Sequence, residues 1–335
     1  MWEIIIWLIS IPFIILFHIN EFIENPNRDS LIGSQSEIIQ ENYHWDYLKE
    51  LTSDRYEFGA AVSDDKIYLI GGLAAPTVYL PSSKVEVYNL KTNQWQKAKD
   101  APIIVHHPGV TSDGEKIYLI GGNGIRIISY SSAYAYAPKK DQWERLDDMP
   151  TKRAALGLVY LNGRIYAIGG ADNKVALKSN EAYNISSKKW EALKEMPTAR
   201  EHLVAVTNGE KIYALGGYKD TRFNALKTLE SYDPKTNEWQ TLKDLPLPIS
   251  GFAAAATPDS IFIFGGQQGW ADSEEVHEYI IAEDRWVRRL NLPSPRYALV
   301  AVTASDGIHV FGGNEVVGGY QFLRDHLLLK LPPKI

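Results

Sequence analysis

The sequence predicts an all-β chain folded as a six-bladed β-propeller of four-stranded blades, preceded by one amino-terminal transmembrane helix. Three observations carry this. Gly-Gly pairs begin at Gly71, Gly121, Gly169, Gly216, Gly265 and Gly312, spaced by 50, 48, 47, 49 and 47 residues. Tryptophans at Trp45, Trp95, Trp143, Trp190, Trp239 and Trp286 repeat the same five spacings. A tyrosine stands seven residues before five of them, at Tyr88, Tyr136, Tyr183, Tyr232 and Tyr279. A period near 50 that holds four short strands marks radial repetition rather than a sandwich.

Arg200 to Pro246 is the clearest copy. LVAVTN, KIYALGG, TLESYD and EWQTLK alternate strand-forming residues between Gly, Asn, Asp and Pro punctuation, as short antiparallel strands require. One such sheet has two apolar faces and cannot bury both alone, so copies must pack on each other. Glycine at the end of the second strand permits positive φ where inner strands crowd the axis. Tyrosine and tryptophan fill the wedge between blades with large apolar area.

In chain order, residues 1–19 (MWEIIIWLISIPFIILFHI) are apolar all round. A helix of that length spans roughly 28 Å, close to the hydrocarbon thickness of a bilayer. They read as a transmembrane anchor. A cleaved signal peptide is the rival reading, set against by Glu3, by the lack of a basic leader and by the distance to Ser34 and Ser36. The following flank carries Glu21, Glu24, Asp29, Glu37 and Glu41 against Arg28 alone, which predicts a propeller on the extracytoplasmic side. Residues 20–42 read as a polar linker. The propeller then occupies 43–335, with blades near 52–101, 102–150, 151–197, 198–246, 247–293 and 294–331. The last repeat lacks a tryptophan strand, and HWDYLKEL (44–51) has a tryptophan with no Gly-Gly before it. Residues 43–51 therefore supply the missing outer strand and close the ring, which removes an exposed sheet edge.

Composition excludes several classes. The net charge of -6 argues against a nucleic-acid partner. The absence of cysteine removes disulfides, thiolate catalysis and Cys-ligated metals. No metalloprotease, Walker or nucleophile-elbow motif is present, so no catalytic residue, metal or cofactor is assigned.

With its Gly-Gly pair closing the second strand and a spaced Tyr and Trp, the chain resembles the kelch repeat family over residues 43–335. The segment before the repeats is too short for the BTB domain that many kelch proteins carry. The resemblance implies a non-catalytic, monomeric binding scaffold for a protein or an acidic small-molecule or glycan ligand. It also admits an extracytoplasmic enzyme similar to the sialic acid mutarotases, although no stretch matches their active-site loop. Galactose oxidase needs a cysteine crosslinked to tyrosine, which this chain lacks.

Candidate contacts follow from strand polarity. The start of each innermost strand and the loop after Gly-Gly share one face, where propellers bind. Sixteen residues before each Gly-Gly pair stand Arg55, Val105, Arg153, Arg200, Ile249 and Arg296. The four arginines, with His107 and His202, read as a ligand-binding rim for carboxylate or phosphate. The other reading makes them a repeat feature paired between strands. In the variable loops Tyr79, Arg222, Trp270 and Tyr320 are the candidate contacts, since aromatics and arginine anchor interfaces. Strand alternation sends the adjacent His106 and His107 to opposite faces, which argues against a metal shared between them.

Overall fold

The computed structural model describes residues 43–74, 80–315 and 321–332. The predicted transmembrane helix and linker, at 1–19 and 20–42, lie outside the described residues, as do Tyr79 and Tyr320. Among the described residues no helix is long and apolar enough to cross a membrane.

Six antiparallel four-stranded sheets form the blades. In blade 4 the strands from axis to rim are Val204–Thr207, Ile212–Leu215, Leu229–Asp233 and Glu238–Thr241. The other innermost strands are Gly59–Ser63, Gly109–Ser112, Gly157–Leu161, Ala253–Ala256 and Val300–Ala304. Each touches the innermost strands of its two neighbours, blade 6 meeting blade 1. Blade 6 is completed by His44–Tyr47, which pairs with His326–Lys330 and sets Trp45 opposite Leu329. The ring is thus closed by the chain's amino-terminal strand, which covers the edge of His326–Lys330 and becomes the outer strand of blade 6.

Repeat residues fasten blade to blade. The indole Nε1 of Trp143, Trp190 and Trp239 donates to the carbonyls of Lys99, Asp147 and Lys194 in the preceding blade, at 3.0, 2.9 and 2.8 Å. Trp45 does the same across the closure, to Asn291 at 2.8 Å. The buried tyrosine opposite the tryptophan donates to a turn residue: Tyr136 to Asp141, Tyr232 to Asn237 and Tyr279 to Asp284, at 2.6–2.8 Å. That turn side chain also accepts the preceding blade's N–H, from Lys99, Lys194 and Lys243 respectively. Tyr, Trp and Asx together clamp one backbone residue of the neighbour. In blade 3 the turn position is Lys188, and the clamp keeps only its tryptophan arm.

The Gly-Gly pairs answer to close approach. Gly217 has φ 87°, and a Cβ there would lie 2.4 Å from the Glu201 carbonyl oxygen. Its N–H donates to Ile249 O of the next blade at 2.9 Å, and Gly72, Gly122, Gly170 and Gly266 make the equivalent bond. A side chain at this position would separate the strand end from the next blade.

Candidate functional site

The four arginines do not form a free rim. Arg55, Arg153, Arg200 and Arg296 are at most 3% exposed. Arg153 donates to Glu181 Oε2 at 2.7 Å and to the Ala167 carbonyl at 3.0 Å. Arg200 donates to Glu230 Oε2 at 2.6 Å and to the Ala214 carbonyl at 3.0 Å. Arg55 lies 3.3 Å from Glu86, and Arg296 donates to Asp325 at 2.8 Å. Each guanidinium ties the start of the innermost strand to a carboxylate in its own blade. Burial pulls the Arg153 and Arg200 guanidiniums down, and the paired carboxylates work against that shift. A buried charge must be paired, and these pairs satisfy one another. The four arginines expected at a rim for an acidic ligand are thus placed inside the fold, each against a carboxylate of its own blade.

Two residues beyond this position lies a different ring. Glu57, His107, Ala155, His202, Gly251 and Ala298 all have positive φ, between 51 and 58°. Their backbones link around the axis. His107 N donates to Glu57 O, Ala155 N to His107 O, His202 N to Ala155 O, Ala298 N to Gly251 O and Glu57 N to Ala298 O, at 2.6–3.3 Å. Among the described residues the sixth link, from Gly251 to His202, is not formed. The left-handed conformation turns each N–H toward the previous blade and aims each side chain at the channel mouth. All six line a vestibule of about 120 Å³ together with Phe58, Leu156 and Leu203.

Three of the six side chains converge there. His107 Nε2 is 2.7 Å from Glu57 Oε2, and the His107 and His202 rings meet edge to face at 4.7 Å. One ligand atom each from Glu57, His107 and His202 fits within a span of 4.8 Å. His107 Nδ1 lies 2.5 Å from His106 Nδ1. His202 stacks on Tyr218, centroids 4.9 Å apart, and its Nδ1 lies 3.3 Å from Glu201 Oε2. The two adjacent histidines therefore do not face apart. His107 has φ 51°, so strand alternation is interrupted between them.

Burial raises the Glu57 carboxyl, but the His107 charge and hydrogen bond, with His202 and His106, outweigh it and bring it down to about 2. Burial, then His107, pushes the His106 imidazole down to about 4. For His202 burial works downward, yet the carboxylates of Glu201 and Glu57 prevail and raise it.

Below the vestibule the channel encloses about 420 Å³, lined by the innermost strands with Ala, Val, Gly, Ser and Thr. Tyr160 is the one titratable residue among the described residues that line it.

The variable loops lie on the same face. Trp270 packs edge to face on Phe223 at 6.0 Å, joining the loops of blades 4 and 5. Arg222 belongs to the short turn Arg222–Asn224 beside it. Glu57 went unnamed from sequence. The signal was present: counting two residues on from each arginine-position residue aligns Glu57, His107 and His202.

Comparison with known proteins agrees with this architecture. A family model described as the KLHDC2/KLHL20/DRC7 Kelch-repeats domain matches residues 147–313, and the Kelch motif matches 54–102 and 105–150. The chain belongs to the kelch repeat family. Kelch-like protein 41a of Danio rerio is 27% identical over 50% of this chain and 28% of its own length. Kelch repeat and BTB domain-containing protein 1 of Cowpox virus is 36% identical over 36% of this chain and 22% of its own length. A Kelch domain-containing protein of Sulfurisphaera tokodaii is 33% identical over 27% and 13% respectively. The chain thus spans less than a third of the length of these relatives.

Proposed function

We propose that this chain is a non-catalytic binding scaffold that holds a protein partner on the face carrying the channel mouth and the loops after Gly-Gly. One observation carries the reading. Of eight large apolar residues left exposed among the described residues, Leu80, Ile104, Ile125, Ile127, Ile128, Val175 and Phe223 all lie on that face, in blades 1 to 4. Tyr47, on the outer strand closing blade 6, is the eighth. Apolar groups gathered on one rim of a rigid ring are what a protein interface uses, and scattered singles would need no account. Blade 2 contributes most: Arg126 and Ile127 stand at φ 61 and 58°, a costly conformation for a β-branched residue.

The partner offers apolar side chains rather than acidic charge, because the arginines are neutralised within the blades. An acidic sugar is a poor fit. The vestibule of about 120 Å³ falls below the roughly 300 Å³ at which small-molecule sites begin. The larger channel offers a single phenol for acid–base work. A membrane tether through residues 1–19, with the propeller on the extracytoplasmic side, completes the proposal; its support is the length and apolarity of that segment.

The test is site-specific photo-crosslinking in the source cells. A crosslinker at Ile127 or Phe223 captures one and the same protein, and one at Tyr47 does not. The double variant Ile127→Asp/Phe223→Asp loses that product while the protein stays folded. Equal capture from Tyr47, or none from the loop face, would remove the proposal.

A further inference from the structure

We propose that Glu57, His107 and His202 form a divalent transition-metal site at the mouth of the propeller channel, of the two-histidine, one-carboxylate type suited to Zn²⁺.

The donor set is the first argument. Two imidazoles and one carboxylate can each place a ligand atom within 4.8 Å of the others. With no cysteine in the chain, the donors are nitrogen and oxygen only, a set that suits Zn²⁺ or Fe²⁺ rather than a soft metal. Three protein ligands leave a further position, and the side chains remain 14–21% exposed, so water reaches it.

Outer contacts are the second argument. Metal-binding histidines are usually oriented through their other ring nitrogen. His202 Nδ1 lies 3.3 Å from the Glu201 carboxylate, which leaves Nε2 as its remaining donor. His107 Nδ1 lies against His106 Nδ1, with Nε2 at the Glu57 carboxylate. His107 Nε2 faces the Glu57 carboxylate, and a ligand nitrogen of His202 lies within the same 4.8 Å span.

Backbone strain is the third argument. The three residues stand at φ 55, 51 and 51°, where glycine would cost least. Blade 5 uses glycine there, Gly251, while blades 3 and 6 use alanine, Ala155 and Ala298. The fold therefore asks nothing of the side chain at this ring position. Glutamate and histidine stand there against the conformational preference, at three of the six positions around the mouth.

That same feature supplies the test. The untagged full chain, purified in mild detergent and stripped with chelator, is titrated with Zn²⁺ and with Co²⁺ as a spectroscopic probe. One metal per chain is expected, with Co²⁺ absorption bands of a site of low coordination number. Glu57→Gly, His107→Gly and His202→Gly each adopt the residue that blade 5 already carries, so each stays folded, which unfolding by urea checks. Each weakens Zn²⁺ binding by more than about a hundredfold, and Glu201→Gln weakens it by roughly tenfold through the outer contact. His44→Ala, remote on the rim, leaves binding unchanged. Absence of stoichiometric binding by the wild-type chain, or binding retained in the His107→Gly/His202→Gly double variant, would overturn the proposal.

Discussion

Replacing Arg200 with alanine tests whether the arginines serve the fold or a ligand. The side chain is 0% exposed and makes a 2.6 Å bond to Glu230 and a 3.0 Å bond to the Ala214 carbonyl. Without it Glu230, 1% exposed, keeps only the 2.8 Å bond from Thr198 Oγ1. Breaking a buried pair by removing one partner costs about 3–5 kcal/mol, because the other charge is left uncompensated. The expected loss for Arg200→Ala is therefore about 4 kcal/mol, read as a fall in the urea midpoint at constant slope. The double variant Arg200→Met/Glu230→Leu removes both charges and fills the space. It should return to within about 1–2 kcal/mol of wild type, since a hydrophobic pair of similar volume replaces a buried ion pair at little cost. The chain already contains this experiment. Blade 2 has Val105 with Tyr134, and blade 5 has Ile249 with His277, and both blades form. A loss below about 1 kcal/mol for Arg200→Ala, or strictly additive effects in the double variant, would refute the structural role.

Two further outcomes follow from the same contacts. His326 is buried against Tyr88 and Phe311, and its Nε2 lies 2.8 Å from Nδ1 of His309, whose Nε2 lies 2.8 Å from Asp306. Burial, then His309, lowers the His326 imidazole to about 3, and Lys330 is the nearby cation on the same strand. The unfolded chain therefore binds this proton first, and stability is lost as pH falls below the ordinary histidine range. Between pH 7 and 5 the loss is about 2 kcal/mol, and His326→Gln, which keeps a donor without titrating, should flatten that part of a pH series of urea midpoints. Trp239→Phe removes the 2.8 Å indole bond to Lys194 and part of the ring area packed on Tyr232. It should cost about 1–3 kcal/mol in the same assay.

Much of the fold was legible because its determinants are backbone events that demand one residue type. Gly216 and Gly217 must lack a Cβ, and Trp239 must reach one carbonyl of the neighbouring blade, so both recur in phase. The site was less legible. The direction of a guanidinium is not written in its own position, so the arginines could be read as facing the mouth. Their partners were nevertheless visible in the repeat register. Glu86, Glu181 and Glu230 stand two residues before the tyrosine in blades 1, 3 and 4, and blades 2 and 5 lack both members of the pair. Joint presence and absence across repeats is the signature of a contact. The histidines failed for another reason. Alternation holds only along a strand, and position 107 has left-handed backbone that no local pattern announces.

The two rings at the mouth differ in what the fold asks of them. At the arginine position, the side chain holds a strand start to the body of its blade, and change there is bounded by stability. Two residues on, the backbone N–H bonds to the previous blade at five of the six positions, whichever side chain stands there. Glutamate, histidine, alanine and glycine all stand there at nearly the same positive φ, although the glycine's own link, to His202, is not formed among the described residues. In a repeat protein this is where specific chemistry can accumulate, since substitution leaves the scaffold intact. Glu57, His107 and His202 stand at such a position despite a backbone preference for glycine, and the proposed metal site would account for them.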